Sequence, residues 1–248
     1  MKIMASDFDG TLFFSFIGEG NEFKKEDLKA IETFRNAGHK FGLCTGRPLS
    51  GIDALCNGIL DFDFYILSSG AIILDKEKNL LYENSLSHET MKRIANEFSV
   101  YSSIWVHAKH DLYSVQKCKE IKAKTRIVES YDDMPHDLIH CVSFKMKNEQ
   151  QTRETCAYIN EKYKDVEAFR NDCFIDVVAK GVSKGATLQI YKEMIHPEIT
   201  YGIGDNYNDL PLLSASDKSF TFHSSPQEVK DTATYVGESI AEAIQQIM

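Results

Sequence analysis

Segments typical of strands and helices alternate over the first third of the chain, and this order limits the fold more than any other feature of the sequence. Residues 2–6, 40–45 and 63–71 are short and mostly apolar and predict strands. Between them, residues 25–37 carry apolar side chains at helical spacing, and residues 49–57 predict a second helix. Strand, helix, strand with short connections is typical of a parallel sheet with helices on its faces.

The alternation returns near residue 184, but the segment before it has a different texture. Residues 82–180 combine helical patterns with short strands that are paired around Asn171-Asp172, a typical hairpin turn. We therefore predict an α/β fold, a doubly wound parallel sheet with an inserted α+β cap domain. The Rossmann-like core would comprise residues 1–81 and 181–248, and the cap residues 82–180.

Polar residues follow each predicted core strand where the strand ends. Ligands of open parallel sheets bind at this edge, beyond the carboxyl ends of the strands. The edge should therefore collect carboxylates, hydroxyls, glycines and an arginine. The stretches concerned are Asp7-Phe8-Asp9-Gly10-Thr11, Thr45-Gly46-Arg47, Ser68-Ser69-Gly70 and Gly204-Asp205-Asn206-Tyr207-Asn208-Asp209.

Two carboxylates one residue apart repel each other unless a positive charge lies between them. Asp7, Asp9 and Asp205 can face one hard divalent cation, and an all-oxygen ligand set with room for water and phosphate suits Mg²⁺. No histidine or cysteine occurs in these stretches, which argues against zinc. A threonine hydroxyl, glycine amides and a lysine beside such an ion would form a phosphate pocket, in which an aspartate can act as a nucleophile.

Four motifs, D-F-D-G-T, C-T-G-R, the lysine of KGVSKGATL and GDNYNDLPLL, occur in this order along the chain. Together they resemble the haloacid dehalogenase superfamily, and most of all its Cof-type, class IIB sugar-phosphate phosphatases. The resemblance implies a Mg²⁺-dependent hydrolysis of a small phosphorylated metabolite through an aspartyl-phosphate. The large insert between the second and third motifs is similar to the α/β cap of that class.

The resemblance also implies roles for the residues of the first three motifs. Asp7 would be the nucleophile, and Asp9 the general acid and base, with its main-chain carbonyl on the metal. Thr45 would bind the transferring phosphoryl group. Lys184 would neutralise the charge of the nucleophile and the phosphate, with Lys180 as the alternative lysine.

The remaining assignments concern the metal and the substrate. Asp205 would be a metal ligand, and Asp209 a second acid that steadies the metal site. Asn208, Gly46 and Arg47 would bind the substrate.

Some positions depart from the family pattern or leave alternatives open. Ser69 stands where the family usually has asparagine. Trp105 and Tyr113 are either cap core or residues that face the site, and the basic run 117–126 is either a solvated face or a contact to phosphate. Two other functions also stay open, a phosphomutase and a non-catalytic protein that binds a phosphorylated metabolite.

Composition bounds the partners and the location. The net charge of -9 argues against nucleic acid as a partner, and no apolar run approaches the roughly 18 residues of a membrane-spanning helix. The amino terminus does not resemble a signal peptide, so we expect a cytoplasmic protein, a monomer or homodimer. Six cysteines without a C-x-x-C pair predict free, mostly buried thiols.

Overall fold

The computed structural model describes residues 1–16, 20–56, 58–100, 103–115 and 125–248, without the side chains of residues 15–22. Its helices are α1 (Lys25–Asn36), α2 (Leu49–Cys56), α3 (His88–Phe98), α4 (Glu149–Lys162), α5 (Lys184–Ile195), α6 (Leu210–Ala215), α7 (Gln227–Thr232) and α8 (Ile240–Ile247). Its strands are β1 (Lys2–Ser6), β2 (Phe13–Phe16), β3 (Gly20–Phe23), β4 (Lys40–Cys44), β5 (Phe64–Leu67), β6 (Ile72–Asp75), β7 (Leu80–Glu83), β8 (Ile104–Ala108), β9 (Asp111–Val115), β10 (Thr125–Val128), β11 (Ile139–Lys145), β12 (Val166–Asn171), β13 (Phe174–Ala179), β14 (Ile199–Ile203), β15 (Lys218–Phe222) and β16 (Tyr235–Gly237).

The larger sheet has eight strands in the order β16-β15-β14-β1-β4-β5-β6-β7. The strands from β16 to β5 are parallel to their neighbours, while β6 and β7 add an antiparallel hairpin at one edge. Because β1 lies between β14 and β4, residues that follow these three strands emerge side by side at one edge of the sheet. The fold places the first, second and fourth motifs there.

Helices cover both faces of this sheet, as the apolar strands require. On β1, Met4 packs into the cluster formed with α1 and α8, while Ile3 and Ala5 pack on the opposite face against α5 and α6. This alternation follows from the two-residue period of a strand. The central strand is therefore buried on both faces, which fixes the position of the residues at its carboxyl end.

The smaller sheet has six strands in the order β10-β9-β8-β11-β13-β12. The side chains of Val106, Val142 and Val177 belong to a cluster that α3 and α4 cover. The neighbouring positions His107, Ser143 and Asp176 point to the opposite face, where the sheet meets a cavity above the larger sheet. One face of the smaller sheet is thus an apolar core, and the other carries polar side chains towards the cavity and the larger sheet.

The α/β prediction is confirmed, with differences in detail. The antiparallel pairs β2–β3 and β6–β7 were not predicted, because each of these strands is only 4 residues long. The predicted boundary between residues 81 and 82 falls inside β7, and the domain division itself remains a proposal. The second helix ends at Cys56, and Asn57 of the predicted range lies outside the described residues.

Two further expectations concern thiols and membranes. The described cysteines are all free, and four of the five are buried, as predicted; Cys118 lies outside the described residues, as does most of the basic run 117–126. No described helix combines the length and the apolarity that a bilayer crossing needs.

Candidate active site

The acids of the first motif are fixed where β1 ends. The Asp7 amide donates to the carbonyl of Ile203 at 2.8 Å, which extends the pairing of β1 with β14 by one residue. Gly10 then turns the chain with a φ of 81°, in the left-handed region that favours glycine. A Cβ at Gly10 would lie 2.6 Å from Asp205 Oδ2, so only glycine allows this close approach.

Lys184 is placed by the first turn of α5. The Ser183 hydroxyl caps this helix by accepting from the Ala186 amide at 3.0 Å. Gly70 lies against this turn, since a Cβ there would come within 2.4 Å of the Ser183 carbonyl oxygen. The helix start can therefore approach the sheet edge closely, and the lysine side chain enters the site almost completely buried, with 1% exposure.

The Lys184 ammonium joins two acids of different motifs. Its Nζ donates at 2.6 Å to Asp7 Oδ1 and at 2.6 Å to Asp209 Oδ1. Burial by itself would lower the pKa of Lys184, but the carboxylates of Asp209 and Asp7 outweigh burial and raise it. The lysine is therefore held in its charged form between the two carboxylates.

Asp7, Asp205 and Asp209 form a cluster in which one carboxylate oxygen of each lies within 4.8 Å of the others. Burial raises the pKa of Asp7 well above its ordinary value; Asp209 raises it further and Lys184 opposes the rise. Burial and then Asp209 raise the pKa of Asp205 to about 7, against the hydrogen bond from Thr11 at 2.6 Å. One lysine does not compensate three carboxylates, so the cluster has the charge and the oxygen atoms that a divalent cation requires.

Asp209 also organises the loop that carries Asp205. Its Oδ2 accepts from the amides of Asp205 and Asn206, both at 3.1 Å, and completes a capping box with Asn206. Asn208 in the same loop is buried, and among the described residues its Oδ1 has no hydrogen-bond partner. A buried polar atom of this kind usually has a ligand or water as its partner.

Asp9 lies apart from the three-carboxylate cluster. Its two oxygens accept from Arg47 Nε at 2.6 Å and from the second guanidinium nitrogen at 2.7 Å, a bidentate pair. The Thr45 hydroxyl is buried and accepts from the Arg47 amide at 3.2 Å. The Asp9 side chain thus contacts the turn of the second motif, residues 45–47, rather than the carboxylates around Lys184.

A cavity of about 560 Å³ opens above these groups, between the two sheets. Residues at the β12–β13 turn contact the loop after β14 beside this cavity. Asn206 Nδ2 donates to Asp172 Oδ1 at 2.7 Å, and the Arg170 guanidinium lies 3.4 Å from the Tyr207 ring centre. The residues that line the cavity are Asp7, Asp9, Thr45, Gly46, Arg47, Pro48, Ser50, Gly51, Ala54, Leu55, His107, Leu112, Ser143, Asn171, Asp172, Phe174, Asp176 and Asn208.

The sequence profile of the haloacid dehalogenase-like hydrolases matches residues 4–247, almost the whole chain. The chain belongs to this family. The Bacillus subtilis protein YxeH, provisionally named a phosphatase, is 25% identical over 274 residues, covering 100% of this chain and 98% of its own.

Solved structures share the fold of this hydrolase. A haloacid dehalogenase-like hydrolase from B. subtilis superposes with a TM-score of 0.86 at 17% identity, covering 100% of both chains. The HAD subclass IIB sugar phosphatase BT4131 superposes with a TM-score of 0.79 at 22% identity, covering 100% of this chain and 99% of its own.

The predicted site residues of this hydrolase meet at one edge of the sheet, but in two groups. Around Lys184 lie Asp7, Asp205 and Asp209, so Asp209 belongs to the candidate metal cluster as closely as Asp205 does. The Asp9 carboxylate, expected near the metal, is instead paired with Arg47 and does not belong to the cluster of Asp7, Asp205 and Asp209. The predicted alternative, Lys180, is more than half exposed and pairs with Glu167 at 3.3 Å.

Sequence reasoning missed the cap residues of the cavity. His107, Ser143 and Asp176 were not singled out, whereas Trp105, which was, is fully buried beside Phe174 and does not line the cavity. Tyr113 packs against the cap core. The signal that could have found such a residue is a single polar side chain within an otherwise apolar strand, as Asp176 is in F-I-D-V-V.

Proposed function

We propose that this hydrolase is a Mg²⁺-dependent phosphatase that removes phosphate from a small metabolite through an aspartyl-phosphate on Asp7. A sugar phosphate is the first candidate for the substrate. The observation that carries the proposal is the buried lysine that joins Asp7 to Asp209 beside an open cavity. A structural ion pair has no need of a third carboxylate or of a cavity at its side. The family membership, and the sugar phosphatase that shares the fold, support the same reaction.

The site fits Mg²⁺. Oxygens of Asp7, Asp205 and Asp209 lie close together, and the raised pKa values of Asp7 and Asp205 reflect charges that burial leaves uncompensated. These three residues, with the Asp9 carbonyl implied by the family resemblance, would hold the ion. When bound, the ion would supply positive charge to the phosphate oxygens and to the carboxylates.

In the first step, an Asp7 oxygen attacks phosphorus and the bond to the leaving oxygen breaks, which transfers the phosphoryl group to Asp7. Lys184 holds Asp7 in place and offsets negative charge as the phosphate approaches. The buried Thr45 hydroxyl and the Asn208 side chain, both on the cavity, would bind phosphate oxygens. These fixed dipoles stabilise charge at the transferring group.

Asp9 would give a proton to the leaving oxygen and then take one from the water that hydrolyses the aspartyl-phosphate. Its carboxylate must first leave Arg47, to which it is bound at 2.6 and 2.7 Å. A phosphate dianion is a strong competitor for the planar guanidinium group. We infer that substrate binding moves Arg47 onto the substrate and frees Asp9 for proton transfer.

The cap would exclude bulk water during the first step. It contacts the core on more than one side of the cavity: the Ser50 amide donates to the His110 carbonyl at 3.1 Å, and Asp172 contacts Asn206 on the metal loop. A cavity partly enclosed in this way would keep bulk water from the aspartyl-phosphate until the cleaved alcohol has left the site.

Phosphate release from a panel of phosphorylated metabolites tests the proposal. Wild-type protein with Mg²⁺ should release phosphate, and Asp7→Asn should lose about a thousandfold or more of the activity. Its melting temperature should stay close to that of wild type, because Lys184 keeps the Asp209 carboxylate as its partner. Chromatography of the products separates the phosphomutase alternative, which would yield an isomerised sugar phosphate without free phosphate. An Asp7→Asn variant with wild-type turnover would contradict the nucleophile assignment.

A further inference from the structure

Asp176 on β13 lies against the turn that residues 45–47 of the second motif form at the sheet edge. Its Oδ2 accepts from the Ser69 hydroxyl of the core at 2.5 Å, and its Oδ1 accepts from Ser143, its cross-strand neighbour in the cap. A Cβ on Gly46 would lie 2.7 Å from Asp176 Oδ2. The carboxylate therefore sits directly beside the turn formed by residues 45–47.

Among the described residues, no lysine or arginine forms an ion pair with Asp176. Its partners in the described part of the chain are hydroxyl groups, and it takes part in none of the ion pairs found there. A second carboxylate, Asp172, lines the same side of the cavity. Arg47 is the one lysine or arginine among the described lining residues, and it is already bound to Asp9.

The cavity therefore has two electrostatic halves. The core half is built for a phosphate, with Lys184 below it and a candidate cation site beside it. The cap half offers carboxylates, the Ser143 hydroxyl and the buried His107, together with the apolar side chains of Leu112 and Phe174. Carboxylates accept hydrogen bonds from hydroxyl and ammonium groups and repel anions.

We propose that Asp176 selects the leaving group: it accepts hydroxyl groups of an uncharged polyol or sugar and rejects a substrate with a second phosphate or a carboxylate. This inference rests on the proposed phosphatase function and adds the substrate class to it. Ser69 and Ser143 hold the carboxylate in one orientation, so that the charge stays at the turn. A second anionic group over the turn would meet this charge in a partly enclosed cavity, where water screens it poorly.

The test compares a hexose 6-phosphate with the matching hexose 1,6-bisphosphate, in wild type, in Asp176→Asn and in the control Asp132→Asn. Asp132 is an exposed cap aspartate that pairs with Lys92 away from the cavity, so its variant makes the same change of charge. Wild type should prefer the monophosphate in kcat/KM, and Asp176→Asn should reduce this preference by about tenfold or more. Asp132→Asn should keep the wild-type preference.

Two results would overturn the inference. The first, seen with wild type alone, is equal kcat/KM for both esters. The second is an Asp176→Asn enzyme with an unchanged preference. Hydrolysis of p-nitrophenyl phosphate, which has no second anionic group, reports separately on the proposed function. If no ester is hydrolysed, the phosphatase proposal fails by itself. Calorimetric binding of the same two hexose phosphates to wild type and Asp176→Asn then decides whether Asp176 selects by charge.

Discussion

Replacement of Lys184 by methionine, which has a similar shape and no charge, tests the electrostatic arrangement of the site most directly. The ammonium makes two contacts of 2.6 Å to Asp7 and Asp209, and the side-chain exposures of the three residues are 1%, 7% and 0%. Removing one partner of a buried ion pair costs about 3–5 kcal/mol, because a charge stays buried without compensation. Two carboxylates are left here, so Lys184→Met should reach this range.

For a chain of this size, such a loss corresponds to a melting temperature lower by about 6–20 °C. Thermal unfolding at neutral pH in a chelator measures it, and Lys180→Met is the matched control. Lys180 is more than half exposed, with one ion pair at 3.3 Å, so its loss should change the free energy of unfolding by no more than about 0.5 kcal/mol. Phosphatase activity should fall about a hundredfold or more in Lys184→Met alone. The reasoning is wrong if Lys184→Met has the melting temperature and the activity of wild type while Lys180→Met loses activity.

Three further outcomes follow from the site. Burial and Asp209 raise the folded pKa of Asp205 to about 7, above the ordinary value near 3.9, so metal-free protein should lose stability as pH rises from about 4 to 7. Mg²⁺ competes with this proton, so the rise in melting temperature that Mg²⁺ causes should grow over the same pH interval. A pH-independent effect of Mg²⁺ would argue against Asp205 as a ligand. Arg47→Lys should lower kcat/KM by about tenfold or more, because lysine cannot bind two oxygens side by side as the guanidinium does with Asp9. Steady-state kinetics equal to wild type would exclude a role for this bidentate binding. Gly10→Ala should weaken Mg²⁺ binding in titration calorimetry, since the added Cβ would meet Asp205 Oδ2 at 2.6 Å in a backbone conformation with a φ of 81°; unchanged affinity would show that the turn tolerates a side chain.

Much of the core could be predicted because its signals are local. The strand–helix alternation and the apolar strands led to the α/β class, and the motif spacing led to the sheet edge where Asp7, Thr45, Lys184 and Asp209 meet. The roles of these residues are still proposals. The cap side of the cavity was not predicted, because the polar side chains of β8, β11 and β13 meet only after antiparallel pairing brings Ser143 opposite Asp176.

The sequence by itself determined which chemical groups this hydrolase has and that they lie at the carboxyl ends of parallel strands, since short-range periodicity and motif order are properties of neighbouring residues. The tertiary structure alone decided how those groups are paired. Asp7 shares Lys184 with Asp209, whereas Asp9 binds Arg47 across 38 positions of the chain. The reason is that charge pairing depends on distance and burial in space, and these are set by the packing of α5 against the sheet and by the pairing of β1 with β4.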